Sequence, residues 1–135
     1  MKILLAVALT LAPAVANAQD CARLVATLKI PNGRVTAATV VPAGSFTPPA
    51  EGAAAPRPIT GLPAFCRVQL TLTPSSDSDI KTEVWLPLAG WNGKFQQVGN
   101  GAFAGSIQYG ALGEALRRGY AAASYTWHGC CVNSS

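Results

Sequence analysis

The amino-acid sequence predicts an α/β fold in which antiparallel strands lead into a strand-helix-strand crossover and the sheet is incomplete. Segments 65–73 and 80–86 alternate polar and apolar residues, which is the period of strands that bury one face. Residues 94–124 then follow the order strand, glycine-rich loop, helix and strand, as in a right-handed βαβ crossover. These strands form only the first part of an α/β sheet.

The N-terminus has the pattern of a secretory signal peptide. Lys2 precedes an apolar run over 3–15, and residues 16–18 (Ala-Asn-Ala) provide the small side chains of a cleavage site. Because the run is short for a membrane span and no stop-transfer pattern follows, residues 1–18 are expected to be removed. The product would be secreted or periplasmic, without a membrane partner; the alternative is a retained N-terminal anchor.

The first strands follow from composition and alternation. Residues 34–41 are rich in β-branched side chains and come after a Pro-Asn-Gly turn, so they predict a strand. The proline-rich segment 42–63 predicts an irregular surface loop. In 65–73 and 80–86, the alternation predicts half-buried strands, with Ile80, Thr82, Val84 and Leu86 on one side of the second.

A helix and a buried strand follow the glycine-rich loop. Leu112, Ala115 and Leu116 recur at helical spacing within 110–118, and Gly119 stands where a helix often ends on a glycine. Residues 120–124 are short and apolar, which suits a buried parallel strand. In an incomplete sheet this strand is expected to be an unpaired edge.

The four cysteines are expected to pair in an oxidising compartment. They lie at positions 21, 66, 130 and 131, and they permit three connectivities. A bridge between the adjacent Cys130 and Cys131 would close a strained ring. The favoured disulfide is Cys21–Cys66, which ties the mature N-terminus to a predicted strand, while Cys130 and Cys131 have no evident partner.

Charge argues against a nucleic-acid partner. The formal net charge is +4, but the lysines and arginines are scattered and are not interleaved with aromatic residues.

The glycine-rich loop, GNGAFAGSIQYG over 99–110, follows a strand, where ligands gather in parallel α/β sheets. Dinucleotide binding is disfavoured because the glycine spacing is off by one and residues 124–126 provide no acid. Acyl transfer is a second interpretation, in which backbone N–H groups stabilise an oxyanion. A loop that only turns the chain is the third.

Five segments together resemble the tannase and feruloyl esterase family. The string WNGKFQQVGNGAFAGSIQYGAL, over 91–112, is close to the family pattern, and the similarity runs from about Cys21 to Ser124. The segments are 62–68, 83–87, 91–95, 99–101 and 105–110.

The resemblance implies an N-terminal fragment of an α/β-hydrolase fold, from a serine esterase with a Ser-Asp-His triad and an inserted lid. Members hydrolyse esters of aromatic acids such as gallate and ferulate, so a small aromatic ester is the implied substrate of the full-length parent. Many members hold calcium in the lid, whereas no cofactor is expected in this chain. By position, Gly101 or Ala102 would contribute an oxyanion-hole N–H, although the family more often has glycine at 102.

The catalytic nucleophile, acid and base are expected to be absent. No G-x-S-x-G motif occurs, and the serines at 106, 124, 134 and 135 lack the strand-to-helix context of a nucleophile elbow. His128 with Cys130 and Cys131 does not have zinc-ligand spacing, so no metal site is expected. This chain alone is therefore expected to be inactive.

Three segments are expected: a signal peptide over 1–18 from the N-terminal pattern, and, from the resemblance, a hydrolase portion over 19–124 and a divergent tail over 125–135. A frameshift or premature stop in the coding sequence would account for the tail, and a naturally short protein is the alternative. The second hypothesis for function is a small secreted, disulfide-tied, β-rich binding or structural module without catalysis. Its recognition surface would comprise Trp85, Trp91, Tyr109 and Trp127.

Overall fold

A computed structural model describes residues 18–50, 55–99 and 105–126 of the chain. The elements are α1 (Ala18–Thr27), β1 (Gly33–Val41), β2 (Gly44–Phe46), β3 (Ile59–Leu62), β4 (Phe65–Leu72), β5 (Ile80–Pro87), β6 (Phe95–Gln97), α2 (Tyr109–Arg117) and β7 (Ala121–Tyr125). Five strands form one sheet in the order β1-β4-β5-β7-β6, and β2 pairs with β3. Strands β6 and β7 are parallel, whereas the other pairs in the larger sheet are antiparallel. This mixed sheet confirms the predicted α/β class.

The crossover from β6 through α2 to β7 depends on two glycines. Gly119 ends α2 with a φ of +77°, and a Cβ there would lie 2.8 Å from the carbonyl oxygen of Gly90. A side chain larger than hydrogen is therefore excluded on two grounds. Gly113 lies within α2, where a Cβ would approach the Ile59 side chain to 2.7 Å. Because Gly113 has no Cβ, the helix can pack closely on β3.

The two faces of the sheet carry separate hydrophobic cores. Helix α1 covers one face, where Cys21 and Cys66 form a disulfide with their Cα atoms 5.6 Å apart. Helix α2 and the β2–β3 hairpin cover the other face, whose largest buried side chains are Phe65, Trp85 and Leu112. Because both faces are covered, the central strands bury side chains in both directions.

Burial on both faces corrects the expectation of half-buried strands. Phe65 and Trp85 are fully buried, although they lie on the faces of β4 and β5 that also carry Arg67 and Glu83. Glu83 is itself only 2% exposed. Alternation within one strand does not indicate whether a helix or hairpin covers the polar side.

The proline-rich segment over 42–63 contains regular structure, which the sequence analysis missed. Strands β2 and β3 pair there, with Phe46 opposite Ile59. Phe46 packs edge-on against Trp85 at a centroid distance of 5.1 Å. The hairpin therefore gains its stability from burial against the sheet, which local composition does not indicate. Helix α1 was likewise not predicted.

Strand β7 lies inside the sheet, so the expectation of an unpaired edge is wrong. It pairs with β5 on one side and with β6 on the other. Tyr125 pairs with Thr82, and the Thr126 backbone N–H donates to the Lys81 carbonyl at 2.7 Å. The first two residues of the predicted divergent tail thus belong to the sheet or its immediate extension. Residues 127–135, and 1–17 of the predicted signal peptide, lie outside the described residues.

Candidate functional site

The glycine-rich loop leaves β6 and returns to α2, and both limbs are held by β7. On the outgoing limb, the Val98 backbone N–H donates to the Ala123 carbonyl at 2.8 Å. On the return limb, the Gln108 backbone N–H donates to Ser124 Oγ at 3.0 Å. Because β6 and β7 are parallel, these contacts lie at the carboxyl ends of both strands, the edge where ligands bind in α/β sheets.

The residues predicted to contribute the oxyanion donor, Gly101 and Ala102, lie outside the described residues. Of the loop, the structure describes Gly99 and the segment from Gly105 onward. Gly105 has a φ of +60°, a conformation that favours glycine. Ile107 is buried in the core beneath α2, so the return limb is anchored by packing as well as by hydrogen bonding.

The described serines near the loop do not have a nucleophile's setting. Ser124 is fully buried, and its Oγ accepts the Gln108 N–H. Ser106 is half-buried in the return limb, where its carbonyl accepts a hydrogen bond from the Gln108 side chain at 3.2 Å. Neither residue lies on a strand-to-helix elbow. The other candidates, Ser134, Ser135, His128 and the two adjacent cysteines, lie outside the described residues.

A buried carboxylate, Glu83, lies at the centre of the face beneath the hairpin. It accepts hydrogen bonds from Arg67 Nε at 2.9 Å and also from Arg67 Nη2, with which it forms an ion pair. Trp85 Nε1 donates to it at 2.8 Å, and the Tyr109 hydroxyl donates at 3.0 Å. Sequence reasoning missed this site because an isolated Glu in an alternating strand normally faces water.

The electrostatics of the pair stabilise the charge on Arg67. Burial disfavours the charged guanidinium, but hydrogen bonding and attraction to Glu83 outweigh burial and raise the pKa of Arg67. The Arg67 guanidinium also lies 4.9 Å from the centroid of the Phe46 ring, within the range of a cation–π contact. The ion pair is thus enclosed by β4, β5 and the hairpin.

The aromatic residues proposed as a recognition surface divide between core and surface. Trp85 is fully buried and stacks on Phe65 at a centroid distance of 4.4 Å. Tyr109 is half-buried and lies 6.2 Å from Trp85. Trp91 is 60% exposed, whereas Trp127 lies outside the described residues. The four aromatics therefore do not present one surface, because Trp85 is part of the core.

A cavity of about 220 Å³ adjoins the Glu83 cluster below the return limb of the loop. Most of the residues that line it are polar residues of the sheet, and Ile107 and Tyr109 also line it. The lining residues are Thr36, Gln69, Leu70, Lys81, Thr82, Glu83, Ile107, Tyr109 and Thr126.

Within 18–50, 55–99 and 105–126, no three His, Cys, Asp or Glu residues come together as a metal site requires. Neither of the two described helices is long and apolar enough to cross a membrane.

Comparisons with known proteins agree on one family. The family model described as "Tannase and feruloyl esterase" matches residues 66–129, and thus continues five residues past Ser124. An uncharacterized esterase of Xanthomonas campestris pv. campestris is 49% identical over 124 residues, which are 92% of this chain and 20% of that protein. A probable feruloyl esterase B-1 of Aspergillus oryzae is 35% identical over 106 residues, covering 76% of this chain and 19% of that protein.

Two solved structures share the fold. The crystal structure of feruloyl esterase B from Aspergillus oryzae aligns with a TM-score of 0.67 at 35% identity, over 81% of this chain and 21% of that chain. An esterase from Aspergillus oryzae aligns with a TM-score of 0.70 at 26% identity, over 81% of this chain and 22% of that one. The chain spans about a fifth of the length of the relatives it matches.

Proposed function

Since this chain belongs to the tannase and feruloyl esterase family, as a portion of its longer members, we propose that it forms part of a serine hydrolase for esters of aromatic acids. The observation that carries the proposal is the 49% identity with an esterase over 92% of the chain. The position of the glycine-rich loop supports it, because both limbs are held at the carboxyl ends of parallel strands.

In this proposal the loop supplies one half of an oxyanion hole. The backbone N–H of Gly101 or Ala102 donates to the oxygen that becomes negatively charged when the ester carbonyl is attacked. The second donor, the nucleophilic serine and its acid and base come from outside residues 1–135. The absence of any G-x-S-x-G motif supports this division, so the chain alone is proposed to be inactive.

The proposed substrates are small aromatic esters, and the proposed compartment is extracellular or periplasmic. The names of the Aspergillus oryzae relatives, feruloyl esterases, support the substrate class. The signal-peptide pattern and the Cys21–Cys66 disulfide support export, because disulfides persist in oxidising compartments.

A chimeric esterase tests the proposal. In the Xanthomonas campestris esterase, the segment aligned with this chain is replaced by the corresponding residues of this chain, and hydrolysis of methyl ferulate is measured. We expect turnover by the chimera and none by the 135-residue chain alone. If the unaltered Xanthomonas esterase turns over methyl ferulate and the folded chimera does not, the proposed function is refuted. Turnover by the chain alone would show that its nucleophile lies within residues 1–135.

Two proline variants of the chimera then test the loop. Gly101→Pro and Ala102→Pro each remove one backbone N–H. Losing an oxyanion donor lowers kcat about 10²- to 10³-fold. We expect that loss from at least one variant, with the thermal unfolding midpoint close to that of the parent chimera.

A further inference from the structure

We propose that the cavity beside Glu83 binds the hydroxylated ring of an aromatic ester, with the Gln69 side-chain amide as the group that recognises the ring hydroxyl. Ile107 of the return limb and Thr126, directly after β7, both line this cavity. It therefore lies at the carboxyl end of β7, the edge where ligands bind in α/β sheets. The class of ligand rests on the proposed function, whereas the place and manner of binding rest on the lining residues.

The size of the cavity suits one aromatic ring. Its volume is about 220 Å³. An apolar cavity of about 150 Å³ is enough to hold benzene. A ring with one or two small substituents therefore fits, whereas a complete feruloyl ester is larger than the cavity. The ester group itself would lie outside it.

Apolar side chains provide the contact surface for the ring. Leu70 and Ile107 are each 8% exposed, and they line the cavity together with Tyr109. The Tyr109 hydroxyl donates to Glu83 at 3.0 Å, which fixes the orientation of the tyrosine ring. Aromatic rings favour contact with a second ring in offset or edge-to-face geometry. A flat aromatic ligand thus gains more from these contacts than a saturated polar ligand of the same size.

The charges around the cavity are already paired. Lys81 Nζ lies 2.6 Å from Asp79 Oδ1. Glu83 forms its buried ion pair with Arg67. A carboxylate that entered the cavity would lose hydration without meeting an unpaired cation. The cavity therefore favours a neutral group, such as a phenol, over an anion.

Gln69 is the polar lining residue that is available to a ligand. It lies opposite Glu83 in the β4–β5 pair, it is half-buried, and its side chain makes no hydrogen bond with another described residue. The Thr36 and Thr126 hydroxyls already bond to backbone groups, and Thr82 Oγ1 is itself buried. A side-chain amide donates and accepts, as a phenol hydroxyl does, so the two can pair in either direction.

Binding of p-cresol and toluene to the full 135-residue chain tests the site without catalysis. The two compounds differ only by the ring hydroxyl, and NMR titration measures both dissociation constants. We expect p-cresol to bind about tenfold more tightly than toluene and to shift the Gln69 side-chain NH₂ resonances. Gln69→Leu should remove this preference. Gln97→Leu, which changes an exposed glutamine of β6 outside the cavity, should keep it.

Kinetics of the chimera tests the same contact on substrates. Methyl 4-hydroxycinnamate and methyl cinnamate differ only by the ring hydroxyl, so each variant carries its own control for folding. We expect Gln69→Leu to lower kcat/KM about tenfold for the hydroxylated ester and to leave it within about twofold for methyl cinnamate. A purely structural role of Gln69 would change kcat/KM for both esters by the same factor, and that result would overturn the inference.

The outcomes separate this inference from the proposed function. If p-cresol binds through Gln69 but the folded chimera hydrolyses no ester that the unaltered Xanthomonas esterase hydrolyses, the cavity binds phenols and the proposed function fails. If the chimera hydrolyses both esters and Gln69→Leu leaves their kcat/KM ratio unchanged, the proposed function stands and the ring does not bind here. Equal affinity of the parent chain for p-cresol and toluene, or binding of neither, would also overturn the inference.

Discussion

Replacing Glu83 by glutamine should destabilise the fold far more than any surface charge change. The Glu83 and Arg67 side chains are 3% and 14% exposed, so the pair is nearly removed from water. Glutamine keeps the volume of the side chain and one oxygen acceptor, but its NH₂ group cannot accept from Arg67. The substitution therefore leaves a buried guanidinium without a compensating charge.

The magnitude follows from that uncompensated charge. Breaking a buried ion pair from one side costs about 3–5 kcal/mol. Because the remaining amide oxygen can still accept from Trp85 or Tyr109, we expect the lower part of that range, about 3 kcal/mol. Small domains have unfolding free energies of about 5–15 kcal/mol, so the loss is a large fraction of the total. Adding Arg67→Met removes the stranded charge and should recover about half of the loss.

Urea unfolding, followed by tryptophan fluorescence and far-UV circular dichroism, measures these differences. The matched control is Glu114→Gln, whose exposed pair with Arg117 has side chains 61% and 36% exposed. Exposed pairs contribute about 0.5 kcal/mol or less, so the control should stay close to the parent. An unfolding free energy of Glu83→Gln within about 1 kcal/mol of the control would contradict an uncompensated buried charge on Arg67.

Three further measurements follow from the structure. Replacing Cys21 and Cys66 together by serine should lower the unfolding free energy by about 4 kcal/mol, because the bridge closes a sequence separation of 45 residues; urea titration checks this. Thr82→Val should raise the unfolding free energy by about 1 kcal/mol in the same titration, since Thr82 Oγ1 is buried without a hydrogen-bond partner among the described residues. The Ser75 hydroxyl and the backbone N–H of Asp77 hold the pKa of Asp77 below its usual value. Ser75→Ala should raise the pKa of Asp77 in an NMR titration. Because the folded-state pKa of Asp77 is lowered, the Ser75–Asp77 contact stabilises the fold at pH values above the unfolded-state pKa. This contribution is lost as pH falls through the folded-state pKa.

The elements that local patterns define were predicted from the sequence. Alternation located β4 and β5, and helical spacing ending at Gly119 located α2 within one residue at each end. These features depend on neighbours along the chain, which a single sequence records. The parallel pairing of β6 with β7 followed from the order of the elements.

The features that depend on distant contacts were not predicted. Glu83 alternates as a polar outward residue would, and its burial depends on a hairpin that starts about forty residues earlier. The prolines of segment 42–63 led to the prediction of an irregular loop. The hairpin forms there because Phe46 packs against Trp85, a contact that local preference does not indicate. The position of β7 between β5 and β6 likewise depends on pairing that no single segment encodes.

The acylation rate constant of the chimera tests the central claim, that amides of the glycine-rich loop stabilise the charge formed during ester attack. Stopped-flow measurement with a p-nitrophenyl ester of ferulic acid isolates this step from product release. We expect Gly101→Pro or Ala102→Pro to slow acylation about 100-fold or more in a chimera that remains folded. Acylation within about threefold of the parent in both variants would contradict the claim, because a lost oxyanion donor costs far more than that.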